Sequence, residues 1–137
     1  MVKKFACLSC VVLGLCLLCG CSDKVPLSGK VTFSDDGSPL TVGTVCFETD
    51  NFIAYGRVKP DGTYVIGSLS ETDGLPHGNY RIFITDTAKE VVRNGAPAIE
   101  YAVAQKFTQG STSGLTFEVT SSTKTFDFSV DRFDSKK

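Results

Sequence analysis

Asn79-Tyr80-Arg81-Ile82-Phe83-Ile84-Thr85 alternates along its whole length. Tyr80, Ile82 and Ile84 fall on one side, Arg81 and Phe83 on the other. A two-residue period marks a strand packed on one face, because successive side chains of an extended chain point in opposite directions. Just before it, Glu71-Thr72-Asp73-Gly74-Leu75-Pro76-His77-Gly78 holds several breakers and reads as a loop.

Working outward, the same grammar repeats. Ser28 to Phe33 alternates, with Val31 and Phe33 on one face. Asp35-Asp36-Gly37-Ser38-Pro39 is a turn, since Asp-Gly accepts the positive φ that tight turns need. Thr44 to Glu48 follows with Val45 and Phe47 on one face, then an Asp50-Asn51 turn and a strand over Phe52 to Val58. Lys59-Pro60-Asp61-Gly62 is a strong hairpin signal before Thr63 to Gly67. Leu115 to Thr120 and Thr125 to Val130 form a late pair of strands joined by Ser121-Ser122-Thr123-Lys124. Short strands separated by Gly, Asp, Asn and Pro predict an all-β sandwich. Asp86 to Gly114 is the exception: one or two helical turns are expected over Ala88 to Arg93, stopped by Asn94-Gly95-Ala96-Pro97. A short helix or an extra strand is expected near Ala102 to Phe107. Long connections of this kind are often functional.

The first twenty residues differ from all of this. Lys3 and Lys4 precede an apolar run from Phe5 to Leu18 with Ser9 as its one polar interruption. A bilayer core needs about 20 helical residues, so this run is too short to span and has the layout of a secretory signal. Leu18-Cys19-Gly20-Cys21 resembles the lipobox of bacterial lipoproteins, with an aliphatic residue three before the acceptor and a small one just before it. The resemblance implies cleavage between Gly20 and Cys21, with diacylglycerol on the Cys21 sulfur. Each buried CH₂ contributes about 0.8 kcal/mol, so one acyl chain binds reversibly while two or three hold firmly. Ser22, rather than Asp, after the acceptor favours the outer membrane. The expected organisation is a signal peptide over 1–20, a lipidated tether over 21–26, a sandwich domain over 27–132 and a tail over 133–137.

Removing residues 1–20 leaves 12 basic against 15 acidic side chains. That small negative balance argues against a nucleic-acid binder and against a polybasic hold on anionic lipid. Attachment to the membrane then falls to the lipid on Cys21. Of six cysteines, Cys7, Cys10, Cys16 and Cys19 leave with the signal and Cys21 takes the lipid. Cys46 therefore has no internal disulfide partner, and its place in Val45-Cys46-Phe47 marks it as a buried small hydrophobe.

Two segments carry a family resemblance. One is Ser28-Gly29-Lys30-Val31-Thr32-Phe33 with Asp36-Gly37-Ser38-Pro39-Leu40 and Val42-Gly43-Thr44-Val45. The other is Asp61-Gly62-Thr63-Tyr64 with Leu75-Pro76-His77-Gly78-Asn79-Tyr80-Arg81-Ile82. Together they resemble the carboxypeptidase regulatory-like, transthyretin-like β-sandwich. More narrowly, the chain is similar to small planctomycete lipoproteins carrying that domain, which tend to end like Thr112-Ser113-Gly114-Leu115-Thr116-Phe117-Glu118-Val119. The resemblance implies a seven- or eight-stranded Greek-key sandwich with a stabilising or binding role, and no peptidase activity.

No catalytic, cofactor or metal site is expected. His77 is the single histidine and sits in a Pro-His-Gly turn, where it reads as a solvated residue; a zinc site would need more ligands clustered with it, and no G-x-S-x-G marks a serine nucleophile. A hydroxyisourate hydrolase of similar fold needs several histidines and a Tyr-Arg-Gly-Ser tail that this chain lacks. Glu71 and Asp73 read as solvated loop acids. Asp35, Asp36, Asp50, Asp61, Glu71 and Asp73 lie on predicted loops without the spacing of a calcium-binding loop. Tyr55 and Tyr101 are the aromatics to check for exposure. The expected role is a non-catalytic binding or structural module on the cell envelope, with a protein or polysaccharide partner. The alternatives are a small periplasmic enzyme or accessory subunit using residues 86–114, and a calcium-dependent adhesive module.

Overall fold

Two aromatic side chains, Phe47 and Tyr64, meet at the centre of the molecule with ring centroids 6.4 Å apart. They come from opposite sheets of a β-sandwich. The structure, a computed structural model, describes residues 23–70 and 72–134. The signal, the cleavage point and the lipidation site at Cys21 lie outside the described residues, as do Glu71 and 135–137. The described residues form β1 (Leu27–Phe33), β2 (Thr44–Glu48), β3 (Ile53–Arg57), β4 (Thr63–Ile66), β5 (Gly78–Thr85), β6 (Ala88–Arg93), β7 (Ala96–Tyr101), β8 (Leu115–Val119) and β9 (Phe128–Val130).

One sheet runs β4-β1-β9, the other β3-β2-β5-β8, and β6-β7 form a separate ribbon. The sandwich thus has seven strands. After β3 the chain crosses to the opposite sheet, and β5 returns beside β2, the long-connection arrangement of a Greek key. Val31, Val45, Phe47, Tyr64, Ile66, Ile82, Ile84 and Val130 are fully buried between the sheets. They are the residues that alternation places on one face of each strand.

The motif residues meet in space. Gly29 on β1 lies directly opposite Tyr64 on β4. The Tyr64 hydroxyl crosses β1 at that glycine and donates to the Phe126 carbonyl. A Cβ on Gly29 would stand 1.9 Å from that oxygen and 2.7 Å from the phenol oxygen. Only a residue without a side chain lets the phenol pass. The Tyr80 hydroxyl likewise donates to the Pro76 carbonyl at 2.8 Å, fastening the loop that precedes β5.

Three expectations are corrected. The Lys59–Gly62 turn forms, with Gly62 N–H donating to Lys59 O at 2.8 Å, but the strands it joins part into different sheets. They stay linked at the sandwich edge, where Tyr55 and Gly67 exchange backbone hydrogen bonds of 2.9 and 3.0 Å. The two late strands also separate: β8 pairs with β5, while β9 runs parallel to β1. Each has an apolar face that is better covered across the core than by lying side by side. The helix expected over Ala88 to Arg93 is instead strand β6 of a hairpin. Asn94 and Gly95 both have positive φ, 54° and 80°, the signature of a tight hairpin turn whose twist matches its strands. Near Ala102 to Phe107, where a short helix or an extra strand is expected, the chain forms a single 3₁₀ turn, Gln105–Thr108, which buries Phe107.

Candidate functional site

Every strand of the sandwich buries a face, but β6 and β7 bury none. Val92 is 76% exposed, Ile99 65% and Tyr101 50%, so the ribbon holds three of the large exposed apolar side chains. It leaves the sandwich at the end of β5, where Asp86 adopts φ 55° and redirects the chain. Thr87 is buried at the root, and its carbonyl accepts from Ala102 N–H at 3.0 Å. The C-terminal segment braces the exit strand: Val103 bridges Arg132, and Phe133 packs on Tyr101 with centroids 5.4 Å apart. The base is held while the tip projects.

Beneath the ribbon is an open cleft of about 630 Å³. Thr85, Asp86, Tyr101, Gln105, Thr108 and Phe133 are among its walls. Its size suits a small ligand. Asp86 is its one carboxylate, and His77 lies elsewhere, in a groove with Phe52, Pro76 and Tyr80.

Of the acids singled out above, those among the described residues are dispersed and engaged by the protein's own side chains and amides. Arg132 Nε donates to Asp35 at 2.7 Å, its Nη2 donates to Asp36 at 2.9 Å, and its guanidinium lies 3.8 Å from the centre of the Phe33 ring. Hydrogen bonds from Ser38, with Arg132 alongside, pull the Asp36 carboxyl down to about 2. Asp61 accepts from the backbone and side chain of Thr63. Asp50 pairs with Arg81 at 3.1 Å. Asp73 accepts from Lys24 Nζ at 2.7 Å and from the backbone N–H of Ser68 at 2.6 Å and of Leu69 at 3.1 Å. The lysine and these amides hold its carboxyl well below the usual range. Among the described residues no three His, Cys, Asp or Glu side chains are grouped as metal ligands.

Cys46 is 1% exposed, as expected, but it faces away from the sandwich core. Its neighbours Val45 and Phe47 point inward, so it lies on the outer surface of its sheet between Tyr55 and Phe83. Burial pushes its thiol up to about 11, which keeps it protonated and unreactive at neutral pH. Tyr55 and Tyr101 are half-exposed, at 47% and 50%.

Pattern reading misses two features, the ribbon and the Lys24–Asp73 anchor. The ribbon has a signal in Asn94-Gly95, a pair that serves equally as a helix stop and as a hairpin turn. The anchor joins residues 49 apart and leaves no local trace.

These features define a β-sandwich domain with a projecting ribbon. No protein-family model matches the chain, and no curated protein matches it. Among solved structures it is similar to the major pilin subunit of Bacillus cereus, with 12% identity and a TM-score of 0.53 over 81% of this chain and 30% of that one. It also matches a DUF3823 family protein from Bacteroides ovatus, with 16% identity and a TM-score of 0.46 over 80% of this chain and 45% of that one. A 9R-lipoxygenase from Cyanothece matches with 14% identity and a TM-score of 0.36 over 78% and 16%. The chain spans less than half the length of each of these. The pilin likeness is one of fold, a β-sandwich.

Proposed function

We propose that this chain is a membrane-anchored envelope lipoprotein whose sandwich is a non-catalytic binding module of the carboxypeptidase regulatory-like, transthyretin-like kind. In this reading the lipid on Cys21 sets its address in the envelope, at the outer membrane, and the β6–β7 ribbon is what it offers to a protein or polysaccharide partner.

The observation that carries the reading is the ribbon itself. Val92 and Ile99 contribute nothing to the core, yet they stand exposed on a braced hairpin. Apolar side chains held out in this way mark interaction surfaces. The family assignment draws support from Gly29 and Tyr64, motif residues that turn out to be cross-strand partners. The non-catalytic assignment draws support from the dispersed acids and from the protonated Cys46. The anchoring assignment rests on Leu18-Cys19-Gly20-Cys21.

The test is co-purification from native envelope. Wild-type chain is expected to bring a partner that the double variant V92D/I99D does not. Identical recoveries would remove the ribbon from the reading. The variant C21A is expected to remain unprocessed and to lack acyl label, and normal processing would remove the anchor.

A further inference from the structure

We propose that the loop around Leu69 is a membrane contact, with Leu69 inserted into the leaflet beside the acyl chains on Cys21. This rests on the lipidation proposed above.

Leu69 is 93% exposed, the most exposed of the large apolar side chains described. A lone exposed leucine is ordinary on a protein surface. Its position is not. Lys24 Nζ donates to Ser68 Oγ at 2.9 Å and to Asp73 at 2.7 Å. Asp73 in turn receives the backbone N–H groups of Ser68 and Leu69. The residue next to Leu69 is thus fastened to residue 24. One step on, Val25 and Leu75 exchange backbone hydrogen bonds of 2.7 and 2.9 Å, and both are buried. The chain is committed to the fold from Lys24 onward.

Three Cα steps separate Cys21 from Lys24, at most about 11 Å of extended chain. The polar layer on each side of a bilayer is itself about 5–8 Å thick. A domain on so short a leash is held within a few ångströms of the headgroups, with the end carrying Lys24 and Ser68 facing them. The Asp73 carboxylate supports the loop from within and leaves the Leu69 side chain pointing out. Asp23 brings negative charge to this end, so the insertion is apolar and suits zwitterionic lipid. The same geometry sets the orientation of the whole domain. Leu75 lies just before the start of β5 and the ribbon leaves from its other end, eight residues away. At about 3.3 Å per residue, the strand sets the root of the ribbon more than 20 Å from the anchored end.

The chain has no tryptophan, so one introduced indole reports without background. Leu69→Trp and Ile99→Trp are each made in the full chain, and the processed product is purified. Mass spectrometry checks acylation of Cys21. The protein is then reconstituted into phosphatidylcholine vesicles with and without brominated acyl chains. The expected result is that L69W loses most of its emission to the brominated chains and shifts to the blue, while I99W does neither. Acylated L69W that behaves like I99W overturns this inference and leaves the lipoprotein reading intact. A product with an unmodified Cys21 overturns both.

Discussion

The sandwich and the β6–β7 ribbon are built from the same kind of strand, and they treat apolar residues in opposite ways. Val45, Phe47, Ile82 and Ile84 are completely buried, while Val92 and Ile99 are mostly in solvent. Burying a side chain of this size contributes about 1.5–3 kcal/mol. The sandwich collects that stabilisation strand by strand, and the ribbon forgoes it. An isolated two-stranded hairpin is marginal in water. This one persists because its root is tied at Thr87, Ala102 and Phe133. Residues that build the core and residues available for binding are thereby separated along the chain.

The contrast is sharpest for Phe47→Ala. Phe47 touches Tyr64, Tyr80 and Phe126, so its loss should destabilise the domain by about 3–5 kcal/mol in denaturant unfolding. Gly29→Ala belongs in the same class, because backbone rather than a flexible side chain blocks the new methyl. Cys46→Ser is intermediate. It buries a hydroxyl in place of a thiol beside Thr85 and should cost about 1–2 kcal/mol. An unchanged melting temperature would argue that the site is wet.

The acid limb of stability is the next smaller effect. The Asp36 carboxyl is lowered in the fold from 3.8 to about 2, so the stability it contributes is present above pH 4 and lost as pH falls toward 2. Asp36→Asn should flatten that part of the curve of melting temperature against pH while leaving the neutral region nearly unchanged. Smallest of all, Val92→Thr with Ile99→Thr should move stability by no more than about 0.5 kcal/mol. A large destabilisation there would show the ribbon to be part of the core and would dissolve the contrast.

Much of the sandwich was legible because a strand with one dry face writes its period into the sequence. Thr44–Glu48 matches its expected bounds, and Gly78–Thr85 adds one residue to the expected strand. Partners were harder to read. Lys59–Gly62 forms the expected turn yet joins strands of different sheets, since a turn specifies only its own hydrogen bonds. The ribbon reads as a helix because Ala-Lys-Glu is a good helix former and no buried face reveals a period of two. For the candidate site, sequence alone supplied the burial of Cys46 and pointed to Tyr55 and Tyr101 as the aromatics to check for exposure. Lys24, Asp73 and Leu69 were assembled by folding.

Local chemistry in the sequence settled which segments extend, where they turn and which side chains seek the interior, because those properties depend on neighbours one to four residues away. Which strands lie side by side, which acid meets which cation, and which end of the domain its N-terminal chain enters were settled by closing two sheets over one core. That closure is a compromise among contacts distant in sequence, and no short stretch of the chain records it.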